Sequence, residues 1–454
     1  MTQAAAGHAS NPLGDLRRIL GPLAGVAVCV GMAVGSGILR TPGEVALALP
    51  DARWIVGVWL FGAVVAALDA LILAEMASSV PRVGGLVAYL QLSFGPRVAF
   101  LCGWSMLLIT WPASLATVAV AFGELAVRGA NALEQGGSTG EGKLVGGAMI
   151  VLLALLNLRG LRLGARTEIT LFFAKVSLLL FVCVAALVAA PAPVVAAASD
   201  RAARMPTEAL ALLAAVGAAM KNVLFSYDGY ADAVYMAGET ENPGKALPRA
   251  LFVSLLTITG LYVAANATFV HVLGAEGLAH SKFAALDVAQ RAFGEHGASL
   301  LAVVAMVILL GAANSYFLTG PRIARVLAED GIAPKVLGRM TESGAPPAAV
   351  LLVLGMALFY AASGSFDLLL SITIPIISTT VALVAIGLLV QRRRAPDRPR
   401  PFKVRWAPLV VLLQVAIGLL LVSGYVADNP HAVAIDAAAL LVGAVVYEVM
   451  RRRR

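Results

Sequence analysis

Residues Ala218 to Arg249 read AAMKNVLFSYDGYADAVYMAGETENPGKALPR, and the reading of this stretch decides the fold. An apolar run enters from Ala209, is interrupted by Ser226, Tyr227, Asp228 and Gly229, resumes through Val234 to Ala237, and leaves through an acidic, proline-containing exit. A helix facing lipid does not tolerate such an interruption, because each unpaired amide or carbonyl in hydrocarbon costs several kcal/mol. Irregular backbone at membrane depth survives only against protein or a water-filled cavity. The polar patch is therefore expected to line a cavity at mid-membrane depth.

Working outward, a second interruption lies in Gly31 to Thr41, GMAVGSGILRT, where Gly35, Ser36 and Gly37 break another apolar run of membrane length. Two interrupted spans in corresponding halves of a chain are the best sequence pointer to a transporter's binding site. Ser36 and Asp228 stand about 190 residues apart, which fits two halves of about five helices each. Small residues also serve close helix packing, so the glycines alone do not decide the matter. The Asp in the second break does, since an ionisable group at that depth marks function before structure.

Composition sets the frame. Of 454 residues, 60% are hydrophobic and 13% charged, against about 25% charged in soluble domains. This is an all-α polytopic membrane protein, and at about 20 apolar residues per span the length accommodates about twelve helices. The net charge of +8 is unevenly placed. With the amino terminus inside, the inner loops collect Arg17, Arg18, Arg82, Arg97, Arg159, Arg162, Arg166, Arg322 and Arg325 among others, with the Arg392 to Arg405 cluster and the Arg451 to Arg454 tail. That excess places both termini in the cytoplasm of a cell (inner) membrane protein. Basic residues that flank spans instead of forming one face argue against nucleic acid as a partner. Cys29, Cys102 and Cys183 sit in apolar runs without CxxC spacing, and the five histidines are scattered, so neither a metal site nor a cofactor is expected.

In chain order, residues 1–16 form a polar tail and 17–190 a first unit of five spans. Residues 208–390 form a second five-span unit, 391–405 a basic connector, 406–450 a last pair of spans and 451–454 a basic tail. Span 2 carries Asp69 near its middle, span 5 carries Lys175, and span 8 carries Asn314, Ser315 and Thr319. Charges at that depth must face the bundle interior or a cavity. Gly84 to Phe94 reads as an interfacial helix, and Arg40 and Glu44 are spaced to pair.

Three patterns then occur together. They are Gly35-Ser36-Gly37-Ile38 in span 1, Ala74-Glu75 leading to Pro81-Arg82-Val83-Gly84-Gly85 after span 2, and Phe225-Ser226-Tyr227-Asp228-Gly229-Tyr230 followed by Glu239-Thr240-Glu241-Asn242-Pro243 and Leu247-Pro248-Arg249. In order and at this spacing they resemble the amino acid/polyamine/organocation superfamily, and within it the L-type amino acid transporters and their bacterial relatives. The resemblance implies an inverted repeat, spans 1 to 5 against 6 to 10, with spans 1 and 6 broken and a zwitterionic amino acid held between them. Amides around Ser36, Gly37 and Ile38 open a half-helix and suit a carboxylate. Carbonyls freed around Ala33, Phe225, Ser226 and Asp228 suit an ammonium. With Gly35 and Tyr230 these residues form the expected substrate site, and Phe225 stands where the family places an aromatic gate, although core packing also explains it.

The resemblance also speaks to energetics. Sodium-independent members of the fold place a span-5 lysine near the position where sodium-coupled members hold a cation between spans 1 and 8. Lys175 in Phe-Phe-Ala-Lys-Val matches it, with span-1 carbonyls and Ser315 or Thr319 as expected partners. A fixed ammonium there implies a sodium-independent exchanger, whereas a lysine that gives up its proton implies proton coupling. The chain departs from the family pattern at Asp228, where many neutral carriers have a small residue and where a carboxylate favours cationic substrates. Asp69 and Lys221 are also unusual; they pair with each other, bind substrate or face water, and the sequence does not separate these. No GxxxxGK[ST] or HExxH set appears, so the reading is a secondary amino acid transporter and not an enzyme. A sensor that binds without transport is the remaining alternative, and the sequence specifies neither oligomeric state nor accessory subunit.

Overall fold

The computed structural model describes residues 18–130, 139–189, 205–206, 208–363, 366–428 and 430–452. The expected tail 1–16 and the last two arginines of the basic tail lie outside these residues. Among the described residues nine helices are long and apolar enough to cross a membrane, and Pro22–Ala33 with Ser36–Ala48 forms a tenth span bent by 43°. Two shorter apolar helices, Pro347–Ser363 and Ala407–Ser423, occupy the places of spans 9 and 11. The protein is thus a multi-pass all-α membrane protein, with the spans in the order that the apolar runs give.

Each break has a local cause. In span 1, Val34 leaves the helical region, and Gly35, with φ −139° and ψ −139°, opens the second half at Ser36. In span 6 the helix Ala209–Tyr227 stops at Asp228, which is extended. Gly229 follows at φ +99°, and a 3-10 segment Asp232–Glu239 completes the crossing. A residue with a side chain would be strained at that φ, and a Cβ on Gly229 would lie 2.4 Å from Met32 Cγ and 3.0 Å from Ala33 N. Glycine here lets the two breaks touch. The halves pair crosswise: the second half of span 1, Ser36–Ala48, packs on Ala209–Tyr227, and its first half, Pro22–Ala33, packs on Asp232–Glu239.

Around this crossing, span 2 (Ala52–Ser79) packs along span 7 (Pro243–Ala279), and span 5 (Leu161–Ala189) along span 8 (Leu301–Glu329). Spans 3 and 4 approach through small residues, as membrane helices do in the absence of a hydrophobic drive between them. A Cβ on Gly123 would meet Gly142 O at 1.8 Å, and one on Gly146 would meet Ala119 O at 2.1 Å. Span 3 contains a π-turn, Met106–Thr110. Residues 85–90 of the helix Gly85–Phe94 are all buried, packed against spans 3, 6, 8 and 10. Arg40 reaches Glu124, with Nη1 3.4 Å from Oε2, and its guanidinium lies 5.0 Å over the Phe283 ring, while Glu44 is exposed.

Candidate functional site

At the crossing the chains are in direct contact. A Cβ on Gly37 would lie 2.7 Å from Ser226 Oγ and 2.8 Å from Ser226 Cα, so no side chain fits there. Thr41 Oγ1 donates to Gly37 O at 3.0 Å and stands 2.8 Å from Ser226 Oγ, which bonds Asn222 O at 2.9 Å. The Tyr262 hydroxyl lies 2.6 Å from both Ala33 O and Ser226 O, pinning the two broken ends to span 7. Tyr262 is fixed in turn by edge contacts with Trp59 (5.2 Å) and Tyr227 (5.1 Å).

Beside this contact lies a cavity bounded by Met32, Asp69, Thr110, Trp111, Asp228 and Asp232, with Tyr230, Tyr235 and Tyr316 in its aromatic wall. A second cavity adjoins it at Asp69, Asp228 and Tyr230 and runs past Lys221, Phe225 and Gln414 between spans 2, 6, 10 and 11. The Tyr230 hydroxyl donates to Asp69 Oδ2. Asp69 Oδ1, Thr110 Oγ1 and Tyr235 OH line the first cavity and are buried without a hydrogen-bond partner in the structure. Buried polar atoms are normally paired, so three such groups around one cavity are capacity for a ligand or for water. Trp111 Nε1 donates to Thr319 Oγ1 at 2.9 Å, and its ring meets Tyr235 edge-on at 5.0 Å.

On the far side of span 1, Lys175 is fully buried and its ammonium donates to Gly31 O at 2.9 Å and Val34 O at 3.4 Å. Seven residues earlier on the same face, Glu168 is equally buried and accepts from Asn314 Nδ2 at 2.7 Å. Asn157 Nδ2 donates to Asn314 Oδ1 at 2.9 Å, which fixes the Asn314 amide with its NH2 toward Glu168. A Cβ on Gly31 would lie 1.9 Å from Glu168 Oε1 and 2.7 Å from Ser315 Oγ, so the carboxylate fills the space that glycine leaves. The last turn of the first half of span 1 is therefore bracketed by the buried Lys175 ammonium and the buried Glu168 carboxyl group.

One end of the bundle is closed by ion pairs. Arg322 Nε bonds Glu239 Oε2 at 3.1 Å with both side chains buried, and Glu239 O accepts the Ile19 and Leu20 amides. Glu75 is fully buried and takes Arg392 Nε at 2.8 Å and the Val404 amide at 2.7 Å, with Arg400 3.4 Å away. Arg82 reaches Asp330 at 3.1 Å. Residues of the second and third sequence patterns, Glu75, Arg82 and Glu239, thus sit in clamps that join spans 2, 6, 8 and the basic connector.

The amino acid permease family matches residues 20–447, a stretch that contains both broken spans, Lys175 and all of these clamps. The chain belongs to that family. It is 26% identical over 443 residues to the serine/threonine exchanger SteT of Bacillus subtilis (strain 168), covering 97% of this chain and 98% of that protein. It is 26% identical over 422 residues to the b(0,+)-type amino acid transporter 1 of Mus musculus, covering 92% and 84%. It is 26% identical over 405 residues to the human cystine/glutamate transporter, covering 86% and 77%.

Within this amino acid permease, the sequence-derived residues divide into three groups. Ala33, Gly35, Ser36, Gly37, Ile38 and Ser226 meet at the crossing but line neither cavity, and the Ala33 and Ser226 carbonyls already face Tyr262. Asp228 and Tyr230 line both cavities, and Phe225 lines the second with Lys221. Lys175 reaches span-1 carbonyls, whereas Ser315 Oγ turns to Val28 O at 3.4 Å and Thr319 holds Trp111. Sequence reasoning missed Asp232, Glu168, Trp111 and the π-turn. Glu168 had a signal, since a spacing of seven places it on the face of Lys175. The Met106–Thr110 turn, MLLIT, contains neither Gly nor Pro and gives none.

Proposed function

We propose that the protein is a sodium-independent amino acid exchanger, a transporter and not an enzyme, that works by alternating access in a cell membrane with both termini cytoplasmic. The observation that carries this reading is the Lys175 ammonium on the carbonyls of Gly31 and Val34. A mobile cation that locks the end of a half-helix must coordinate such carbonyls, because they form the negative end of its dipole. A covalently attached ammonium occupies them without being consumed, so transport draws on no sodium gradient. The amino acid is held beside the crossing, its carboxylate at the Ser36 to Ile38 amides and its body in the cavity at Asp228 and Tyr230. The serine/threonine exchanger among the similar proteins supports exchange as the mode.

One observation favours proton symport as the second reading: Glu168 Oε1 is buried without a hydrogen-bond partner beside Lys175, a site that can take a proton. Counterflow separates the two. In vesicles loaded with one labelled amino acid and bathed in another, exchange gives influx and efflux that stay equal, one for one. Net influx exceeding efflux refutes obligatory exchange.

A further inference from the structure

We infer that a cavity at the closed end of the bundle, between the turn joining spans 4 and 5 and the segment before span 9, binds the headgroup of an anionic phospholipid, its phosphate received by Arg159, Arg162 and Arg166. The three arginines bound this cavity together with Glu239, Thr341 and Ser343. All three are exposed, and among the described residues none of their guanidiniums has a hydrogen-bond or ion-pair partner. Their neighbours at the same end differ: Arg322, Arg325, Arg392 and Arg400 each hold a carboxylate.

The cavity walls are tied together. The Leu161 amide donates to Ser343 O at 3.0 Å, and Thr341 Oγ1 accepts the Ala345 amide at 3.0 Å. Gly160 stands at φ +131°, and a Cβ there would lie 2.7 Å from Ser343 Cβ, so glycine permits this close approach. The arginines are costly where they stand. Arg162 and Arg166 lie four apart at the start of span 5, where like charges repel and the helix dipole disfavours cations. Glu239 is neutralised by Arg322, which leaves Glu342 as the unpaired carboxylate on the wall. An anion from outside the chain relieves that repulsion. Charge that only orients the chain in the membrane needs no cavity, whereas these three side chains converge on one.

Two features select a phospholipid over a free anion. The site lies at the ends of spans, at headgroup depth, where basic pockets between membrane helices take anionic headgroups. Ile19, Leu163 and Met340 bound the same cavity, and Leu163 is 39% exposed beside Arg162. A free phosphate uses only the guanidiniums, but an acylated one also covers these apolar side chains. The cavity also touches the clamp, because Glu239 O accepts the Ile19 amide at 3.1 Å while its carboxylate holds Arg322. A bound headgroup therefore stabilises the closed end.

The purified full-length protein in a neutral detergent is titrated with phosphatidylglycerol, phosphatidylcholine or glycerol 3-phosphate while its thermal unfolding midpoint is followed. Phosphatidylglycerol should raise the midpoint saturably. Phosphatidylcholine, which has no net charge, and glycerol 3-phosphate, which has no acyl chains, should not do so at the same concentrations. An interfacial arginine contributes about fivefold in affinity for anionic lipid, so Arg159→Gln, Arg162→Gln and Arg166→Gln together should weaken the effect by about a hundredfold. A charge-matched variant carrying Arg393→Gln, Lys403→Gln and Arg405→Gln in the basic connector should stay within about threefold of wild type. Phosphatidylcholine protecting as well as phosphatidylglycerol, or the connector variant losing as much as the cavity variant, overturns the inference. Glycerol 3-phosphate protecting equally well overturns the lipid as the ligand. The three additives compared on the wild-type protein decide the matter if the cavity variant does not fold.

Discussion

Replacing Lys175 by Ala removes two contacts and strands a charge. Its ammonium holds Gly31 O at 2.9 Å and Val34 O at 3.4 Å from a position with no exposed surface. A hydrogen bond from a charged group contributes about 1.5–3 kcal/mol, and removing one member of a buried pair of opposite charges costs about 3–5 kcal/mol, because the other is left uncompensated. The stranded group is Glu168, whose Oε1 has no hydrogen-bond partner. A loss of about 3 kcal/mol or more is about a hundredfold in the population of the state that the pair supports. The assay has two readouts, thermal unfolding of the purified protein and trans-stimulated uptake in vesicles. Lys175→Ala should lower both. Lys175→Ala combined with Glu168→Gln should recover stability, since no buried charge is then uncompensated, yet should not recover uptake, since nothing replaces the cation on span 1. Uptake by Lys175→Ala within about threefold of wild type, under half of one 1.4 kcal/mol decade, would refute the role. Full recovery of uptake in the double variant would refute it differently, by reducing Lys175 to a neutraliser of Glu168.

Two further outcomes follow from the crossing and the closed end. Gly37→Val should abolish substrate binding, because even its Cβ would stand 2.7 Å from Ser226 Oγ; saturable binding retained by a folded variant would exclude the amides of Ser36 to Ile38 from carboxylate recognition. Arg322→Ala leaves Glu239 buried and unpaired and should cost about 3–5 kcal/mol of stability, whereas replacing both by methionine should cost much less. Thermal melts of the single and double variants decide this, and equal losses in both would mean that packing, not charge, matters there.

How much of this was legible in the sequence depends on the range of each signal. The broken spans were legible because their causes are local: Gly35 to Gly37 and Ser226 to Gly229 interrupt apolar runs, and lipid forbids exposed irregular backbone. The fully buried Lys175 was legible for a related reason, since a charge at that depth needs interior partners. What could not be read is who meets whom. Glu75 was visible as part of a pattern and Arg392 as a topology signal, but their pairing spans 317 residues. Asp232 was hidden in a run whose neighbours Ala231, Ala233 and Val234 look like a resumed helix, because sequence does not show that the chain there is a 3-10 segment along a cavity. Nor does the sequence show that residues 85–90 of the helix Gly85–Phe94 are buried against four spans, because a short apolar segment reads alike whether it meets lipid headgroups or protein.

The account stands most directly on one measurement: uptake of a labelled amino acid into proteoliposomes, empty or preloaded, with sodium present or replaced, and with or without an inward proton gradient. It predicts uptake only into preloaded vesicles, at a rate that neither sodium nor the proton gradient changes. Uptake into empty vesicles driven by either gradient would contradict it, and if the driving ion were the proton, Glu168 beside Lys175 would be the group to replace first.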